Sequence, residues 1–511
     1  VAIVGERPAL PLPAARAQPP WSGKELERAR GAGGQSAPRG DRPPNLERVQ
    51  PKQVARGATS RGLGFASSGA PQARRRRRPL TMAAAQPQLL YSILPAHEHR
   101  QDGHVERPER VDGVAAALAA AGLLTGAGAA AAPPPAPAPL DELAALHSYV
   151  GDLAARAATL APGAPAVAVA DADDEDGATY MTAASFAAAR AAAGAAAALV
   201  EAVLAPRAGG AGAPPPVGFS VARPPGHHAT RSAPMGEFSC FLELPVGAEN
   251  SQPTNQPIPL RQLRNLQASV YSTTSPLPRG ARSASAPNVS SAASLSCHSK
   301  QKTACQSLTD HYRKIAGVLV LDFDVHHGNG TSNIVWDDPS VLFVDLHEAG
   351  AVYDEEAGRA PHGTAALGGP AALRRTINAP LPRGVAGTDA LAVFDQVVAP
   401  AARRFRPDII LVSAGYDAHE RDPFQLLQYA SADYHALAVR LRALAGELCG
   451  GRLCFFLEGG YNVEALGEAV AETWRGLLGR PAATAGGAGG APRAETLELI
   501  AELRRLHALD S

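Results

Sequence analysis

The stretch Val318-Leu-Val-Leu-Asp-Phe-Asp-Val-His-His-Gly-Asn-Gly-Thr331 limits the possible folds more than any other part of the chain. Its first half is apolar on both faces, as in a strand buried within a parallel sheet. Acids then intrude where burial disfavours them. Side chains of a strand alternate with period two, so Asp322, Asp324 and His326 are expected on one side of the strand's carboxyl end. A buried carboxylate is costly unless a cation or donor compensates it, and two acids with an imidazole on one face ask for a metal. Gly328-Asn-Gly330 then stops the strand and turns the backbone at the mouth of a crevice, where open α/β sheets bind ligands.

Three other apolar runs end in the same way. Val217-Gly-Phe-Ser-Val221 leads into Arg223-Pro-Pro-Gly-His-His-Ala229, where two prolines and a glycine hold His227 and His228 on a stiff turn. Residues 408–414 lead into Gly415-Tyr-Asp417, and residues 452–458 into Gly459-Gly-Tyr-Asn462. Residues 89–94 and 340–346 read as further strands. Helical patterns lie between them: an Ala/Leu run ending near Leu124, an Ala-rich helix reaching Leu204 and capped by Thr182 or Ser185, residues 388–405, and residues 430–448. From Arg493 an amphipathic helix puts Leu499, Leu503 and Leu506 on one stripe and is expected to pack back on the core. Strand and helix alternate as in a parallel sheet covered on both sides, and right-handed crossovers bring the polar strand ends to one edge.

At that edge Asp324, His326 and Asp417 supply three donors and leave a position open, the arrangement of a catalytic rather than a structural zinc site. The same oxygen-rich set also suits Fe(II) or Mn. His227 and His228 are suited to proton transfer near neutral pH. Asp322 is placed to orient His227 through its other ring nitrogen, and Asn329 to do so for His228 without adding charge. Tyr461, on the Gly459-Gly460 hinge, is placed to donate its hydroxyl to an oxyanion. Together these groups describe metal-assisted hydrolysis of an amide.

Composition narrows the setting. The 48 basic and 48 acidic residues cancel, so no global field recruits nucleic acid, and no apolar run reads as a membrane span. Five cysteines without a repeating spacing do not form a disulfide framework. Residues 1–85 are rich in Pro, Arg, Gly and Ser and are expected to be disordered or removed, with Met82 as an alternative start. Within them the Arg-rich, acid-poor residues 54–79 look like a transit peptide for a chloroplast or mitochondrion, whereas Arg74 to Arg78 alone read equally as a nuclear signal. Residues 126–139 read as a linker. Residues 243–312 turn into Ser, Asn, Gln, Pro and Thr and cannot bury a core, so they are expected to be an insertion or translated intron. The expected catalytic domain is therefore residues 86–480, interrupted by that segment and followed by a linker and short helix over 481–511.

The ordered motifs Pro-Pro-Gly-His-His, Asp-Phe-Asp-Val-His-His-Gly-Asn-Gly-Thr, Ser-Ala-Gly-Tyr-Asp-Ala-His and Leu-Glu-Gly-Gly-Tyr-Asn resemble the histone deacetylase superfamily. The likeness is to its class II, plant-type branch and covers residues 88–480 apart from the insertion. It implies the three-layer arginase-deacetylase α/β fold, a mostly parallel central sheet with helices on both faces. It also implies one zinc ion (Zn2+) on Asp324, His326 and Asp417, proton transfer by His227 and His228, and carbonyl polarisation by Tyr461. The implied substrate is acetyl-lysine in a histone or other protein. A structural potassium ion (K+) held partly by backbone carbonyls around Asp322, Asp324 and His326 belongs to the same resemblance.

By the same likeness, Phe238 is the aromatic wall of the substrate channel, Tyr353 a second wall, Asp176 the rim carboxylate, and Gly459 and Gly460 border the substrate. Phe424 stands where polyamine-preferring relatives carry Glu, and an apolar gate offers a second ammonium no partner, which favours acyl-lysine. The chain departs from the pattern at Gly236-Glu-Phe-Ser-Cys-Phe241, where the family runs Gly-Phe-Cys-x-Phe-Asn-Asn and Glu237 shifts the register of Phe238. The alternatives are an amidohydrolase of acetylpolyamines or acetylated arylalkylamines, and an inactive scaffold whose pocket the 243–312 segment disrupts.

Overall fold

A computed structural model describes residues 89–124, 128–169, 179–205, 215–233, 315–352, 362–485, 487 and 489–510. Residues 1–85, the 243–312 segment, Asp176, Phe238 and Tyr353 lie outside the described residues. In chain order the first part contains β1 (Leu89–Leu94), α1 (Glu109–Ala120), β2 (Ala129–Ala131), α2 (Leu140–Leu146), α3 (Val150–Thr159), β3 (Val167–Ala168), β4 (Tyr180–Met181), α4 (Ser185–Leu204) and β5 (Val217–Ala222). The second contains β6 (Val318–Asp322), α5 (Asn329–Val335), β7 (Val341–Asp345), β8 (Thr376–Asn378), α6 (Gly387–Val393), which continues through a π-turn into α7 (Ala399–Phe405), and β9 (Ile409–Ala414). α8 (Ser431–Leu448), β10 (Leu453–Leu457), α9 (Val463–Leu477) and α10 (Ala494–Leu506) complete it.

Among the described residues eight strands form one sheet in the order β2-β1-β5-β10-β9-β6-β7-β8, with every neighbouring pair parallel. β3 and β4 make a separate antiparallel pair. The central strands are buried along their whole length, and their alternation divides them between two cores. Leu319, Leu321, Ile410, Val412, Phe455 and Leu457 pack with Val111 and Leu118 of α1, Leu441 of α8 and Trp474 of α9. Val318, Val320, Ile409, Leu411, Cys454 and Phe456 pack instead with Val200, Val203 and Leu204 of α4 and Ile334 of α5. Two helical layers thus enclose one parallel sheet, as an apolar run on both strand faces requires. Each large aliphatic or aromatic side chain buried there contributes about 1.5–3 kcal/mol.

Four expectations change. Residues 126–139 are not all linker, because Ala129–Ala131 pairs with β1 as an edge strand, through backbone groups that alanine side chains do not advertise. α4 is not capped by Thr182 or Ser185: its N-cap is Ala184, and Ser185 Oγ accepts the Thr182 N–H at 2.8 Å and meets His99 Nδ1 at 2.6 Å. The same helix is long and apolar enough to cross a membrane, contrary to the reading that no run is. Its apolarity serves the core, where Leu199, Val200, Val203 and Leu204 are buried, and Gly194 lies so near Ala136 that a Cβ would come 2.0 Å from its carbonyl oxygen. On the C-terminal stripe, Leu499 and Leu503 are buried with Ile500, while Leu506 is only half-buried.

A fully buried ion network stitches the first strands to the last loop. Glu106 accepts from Arg110 Nη1 at 3.1 Å and from Arg223 Nη2 at 2.6 Å, and Arg223 also donates to Pro95 O and His99 O. Burial alone would raise the Glu106 carboxyl, but the Arg223 and Arg110 guanidiniums outweigh it and hold it down at about 2. A depressed carboxyl stabilises the fold above its unfolded value near 4.5, and that contribution is lost as pH falls toward about 2. Glu106→Ala strands two buried guanidiniums and is expected to cost roughly 3–5 kcal/mol at pH 7, with a flatter loss between pH 5 and 3, measured by denaturant unfolding. An Ala variant as stable as the parent at pH 7 would show that the network contributes nothing.

Candidate metal centre and active site

β6 ends at Asp322, so Asp324 and His326 lie beyond the strand, and the pleat does not align them as expected. A bend does so instead. Asp322 Oδ1 accepts the Asp324 N–H at 3.1 Å, and Asp324 Oδ1 accepts the His326 N–H at 3.0 Å. Two successive aspartate-to-backbone turns thus curl the chain and return alternate side chains to one place. Asp322 itself belongs to a buried polar row, in register with Ser413 of β9, Asp345 of β7 and, next to that, Asn378 of β8.

Asp324, His326 and Asp417 offer ligand atoms that all lie within 4.8 Å of one another. His326 Nδ1 is 3.2 Å from Asp324 Oδ1 and 3.3 Å from Asp417 Oδ2. The remaining carboxylate oxygens are held from behind: Asp417 Oδ1 accepts the Val325 N–H at 2.9 Å and Asp324 Oδ2 the Gly459 N–H at 2.8 Å. Apart from that approach of His326, Asp417 Oδ2 is buried with no hydrogen bond among the described residues. Burial and the Asp324 charge push the Asp417 carboxyl up to about 6, and a cation shared between the two acids lets both stay ionised at neutral pH. Two carboxylates and one imidazole with an oxygen left bare fit a divalent metal, zinc among them. Neighbouring strand ends must stay small to make this room. A Cβ at Gly415 would come 2.0 Å from Asp324 Oδ2, and one at Gly459 would come 2.1 Å from Asp417 Oδ2.

The sheet order puts two strands between β5 and β6, a separation of roughly 14 Å at about 4.8 Å per strand. The loop after β5 spans it. His227 Nδ1 donates to Asp322 Oδ2 at 3.0 Å, and His227 Nε2 lies 3.8 Å from Asp324 Oδ2. His228 Nδ1 donates to Asn329 Oδ1 at 2.7 Å. The two rings are 3.9 Å apart, and the His228 ring is 6.1 Å from that of His326. Burial would suppress the charge on His227, but the carboxylates of Asp322, Asp324 and Glu458 outweigh it and hold its pKa well above the usual imidazole range. Burial and the charges of His227 and His326 hold His228 well below that range. The two neighbouring imidazoles are thus shifted in opposite directions, His227 upward by the carboxylates around it and His228 downward by burial and the nearby imidazoles.

Tyr461 follows β10 on Gly460, whose φ of 112° is the left-handed region that glycine favours. Arg110 stacks 4.7 Å from the centre of the Tyr461 ring. Phe424 stands edge-on between them and the metal group, 5.4 Å from the Tyr461 ring and 5.5 Å from the His326 ring. Gly459 and Gly460, expected to border the substrate, meet the acids and Arg110 through their backbones: Gly459 through its N–H, Gly460 through its carbonyl, which accepts from Arg110 Nε at 2.6 Å.

Three contributors escape the sequence reading. Glu458 Oε2 accepts the N–H groups of Gly226 at 2.8 Å and His227 at 3.2 Å and so fixes the histidine loop from below. Asp422 accepts from Phe424 N–H at 3.1 Å and Tyr461 N–H at 2.8 Å. Burial and the Asp417 charge push the Asp422 carboxyl up to about 8, yet both oxygens accept N–H groups, the pattern of the ionised form, and a cation on Asp417 relieves the second cause. Arg110 is the third. All three act on backbone groups far away in the chain, and only the run His104-Val-Glu-Arg-Pro-Glu-Arg110, denser in charge than a helix entry needs, hinted at one of them.

Residues 104–256 and 302–477 match the sequence model of the histone deacetylase domain. The chain belongs to the histone deacetylase family. Histone deacetylase 10, chloroplastic, of Oryza sativa subsp. japonica is 34% identical over 415 residues, 78% of this chain and 74% of that protein. Histone deacetylase 14, chloroplastic, of Arabidopsis thaliana is 31% identical over 412 residues, 78% of this chain and 79% of that protein. Polyamine deacetylase HDAC10 of Homo sapiens is 30% identical over 297 residues, 57% of this chain and 34% of that protein. The crystal structure of the HDA15 HD domain superposes with a TM-score of 0.58 at 24% identity, covering 83% of this chain and 96% of that one, a likeness of fold. The class II, plant-type resemblance and the arginase-deacetylase fold thus hold for this chain, and the family is zinc-dependent.

The Gly459 contact gives a test that does not depend on turnover. Gly459→Ala is expected to weaken zinc affinity by roughly 10–100-fold, read by competition with a coloured chelator, while the circular dichroism spectrum is kept. Parent-like affinity would mean the acids do not share an ion there.

Proposed function

We propose that this deacetylase removes acetyl groups from lysine side chains of proteins, using Asp324, His326 and Asp417 as zinc ligands and His227, His228 and Tyr461 as the groups that move protons and bind the oxyanion. The carrying observation is the buried Asp324–His326–Asp417 group lying beside two imidazoles whose Nδ1 atoms are held by Asp322 and Asn329. A zinc ion there supplies a Lewis acid for the amide carbonyl and makes water a better nucleophile. His228, neutral and with its Nδ1 proton engaged by Asn329, takes a proton from the attacking water at Nε2. His227, kept charged by Asp322, gives one to the departing lysine nitrogen. Tyr461 donates its hydroxyl to the developing oxyanion.

Phe424 supports the choice of acetyl-lysine. Its ring packs against His326 and Tyr461 and offers nothing to a second ammonium, so a methylene chain leading to a neutral acetamide is the better fit. The relative named a polyamine deacetylase keeps the acetylpolyamine reading as the competitor. A potassium ion against the backbone around Asp322, Asp324 and His326 belongs to the same proposal. So does a catalytic domain over 86–480 with an insertion at 243–312, within which residues 257–301 have no counterpart in the domain match. Two chloroplastic relatives and the Arg-rich, acid-poor residues 54–79 support a plastid location.

The purified, zinc-loaded protein is expected to hydrolyse an acetyl-lysine peptide, to lose that activity with a chelator and regain it with zinc, and to turn over N-acetylspermidine at least tenfold less efficiently, a preference of about 1.4 kcal/mol. Tyr461→Phe is expected to lower kcat by roughly 10²–10³ with zinc content unchanged. A preference for N-acetylspermidine would reverse the substrate assignment, and no chelator-sensitive turnover of either would remove the activity itself.

A further inference from the structure

We propose that Asp422 is a positioning residue for Tyr461, forming with Arg110 a two-sided charged clamp on the single peptide unit that joins Gly460 to Tyr461. The inference rests on the role given to Tyr461 above. Asp422 Oδ2 accepts the Tyr461 N–H at 2.8 Å, while Arg110 Nε donates to the Gly460 carbonyl at 2.6 Å. These are the two ends of one peptide plane. The carboxylate meets the positive end of its dipole and the guanidinium the negative end, so each charge favours the same orientation, and turning the plane would break both contacts.

The position needs such a restraint. Gly460, at a φ of 112°, has no side chain to limit its torsions, so the direction of the next side chain is set by whatever grips the peptide between them. Arg110 also covers one face of the Tyr461 ring, and Phe424 meets it edge-on. The Phe424 N–H is held at 3.1 Å by the other oxygen of Asp422. One carboxylate, 1% exposed and with no ion-pair partner among the described residues, therefore sets the tyrosine and the apolar gate relative to each other. Asn462 laces the same two loops, its Nδ2 donating to Arg421 O at 2.9 Å. A buried carboxyl engaged, among the described residues, by backbone N–H groups alone is an expensive way to hold a loop, and what it secures is the angle of the tyrosine.

The test is a double-mutant cycle on the zinc-loaded protein with an acetyl-lysine peptide. Asp422→Asn keeps the size but leaves one of the two N–H groups facing an amide nitrogen. It is expected to lower kcat by about 10–100-fold while zinc content stays at one per chain. Placed in the Tyr461→Phe background and followed under single-turnover conditions, the same change is expected to lower the rate less than about threefold, because the hydroxyl it positions is already gone. Losses that multiply, or an Asp422→Asn enzyme at the parent rate, would overturn the clamp. Where Asp422→Asn does not retain zinc, Asp422→Glu replaces it in the cycle, and loss of zinc from both would equally overturn the proposal by making Asp422 part of the metal centre's support. A parent enzyme without turnover would sink the deacetylase reading of Tyr461 instead, so the two failures are distinguishable.

Discussion

Two carboxylates and an imidazole crowded into a buried space repel or desolvate one another unless a cation sits among them. Much of the surrounding structure makes that crowding tolerable. Val325 and Gly459 spend backbone N–H groups on the outer carboxylate oxygens, and Gly415 and Gly459 leave out side chains that would occupy the space. The sheet supplies the rigidity, because β6, β9 and β10 are buried on both faces and cannot shift without disturbing both cores.

Around this centre, a second level of charge orients the moving parts. Asp322 and Glu458 hold the histidine loop, one through the imidazole and the other through the backbone. The Glu106–Arg110–Arg223 network reaches the opposite side of the tyrosine. Each of these groups is fully buried, so each is worth more as an orienter than at a surface, and each is more damaging to remove.

Much of this was visible in the residues themselves. A polar group at the end of an all-apolar strand is a local contradiction, and four such contradictions pointed to one edge of one sheet. The reason first given for the alignment of Asp324 and His326 was nevertheless wrong: their meeting comes from a bend that the aspartates create by accepting backbone N–H groups, not from the pleat. Ala129–Ala131 was invisible as a strand because its pairing is carried by the backbone. Arg110, Asp422 and Glu458 escaped for a related reason, since their partners are carbonyl and N–H groups, which every residue has and no composition reveals.

The strand order has a consequence for how such a centre comes into being. β5 and β6, which carry the histidine pair and the first two acids, are not neighbours; β9 and β10, later in the chain, occupy the gap between them. During synthesis the early halves of the site must wait, with their middle missing, until the last strands emerge and insert. The Asp324–His326–Asp417 group is therefore complete only where β9 has taken its place beside β6, and a chain lacking that pairing offers an ion two of its three ligands.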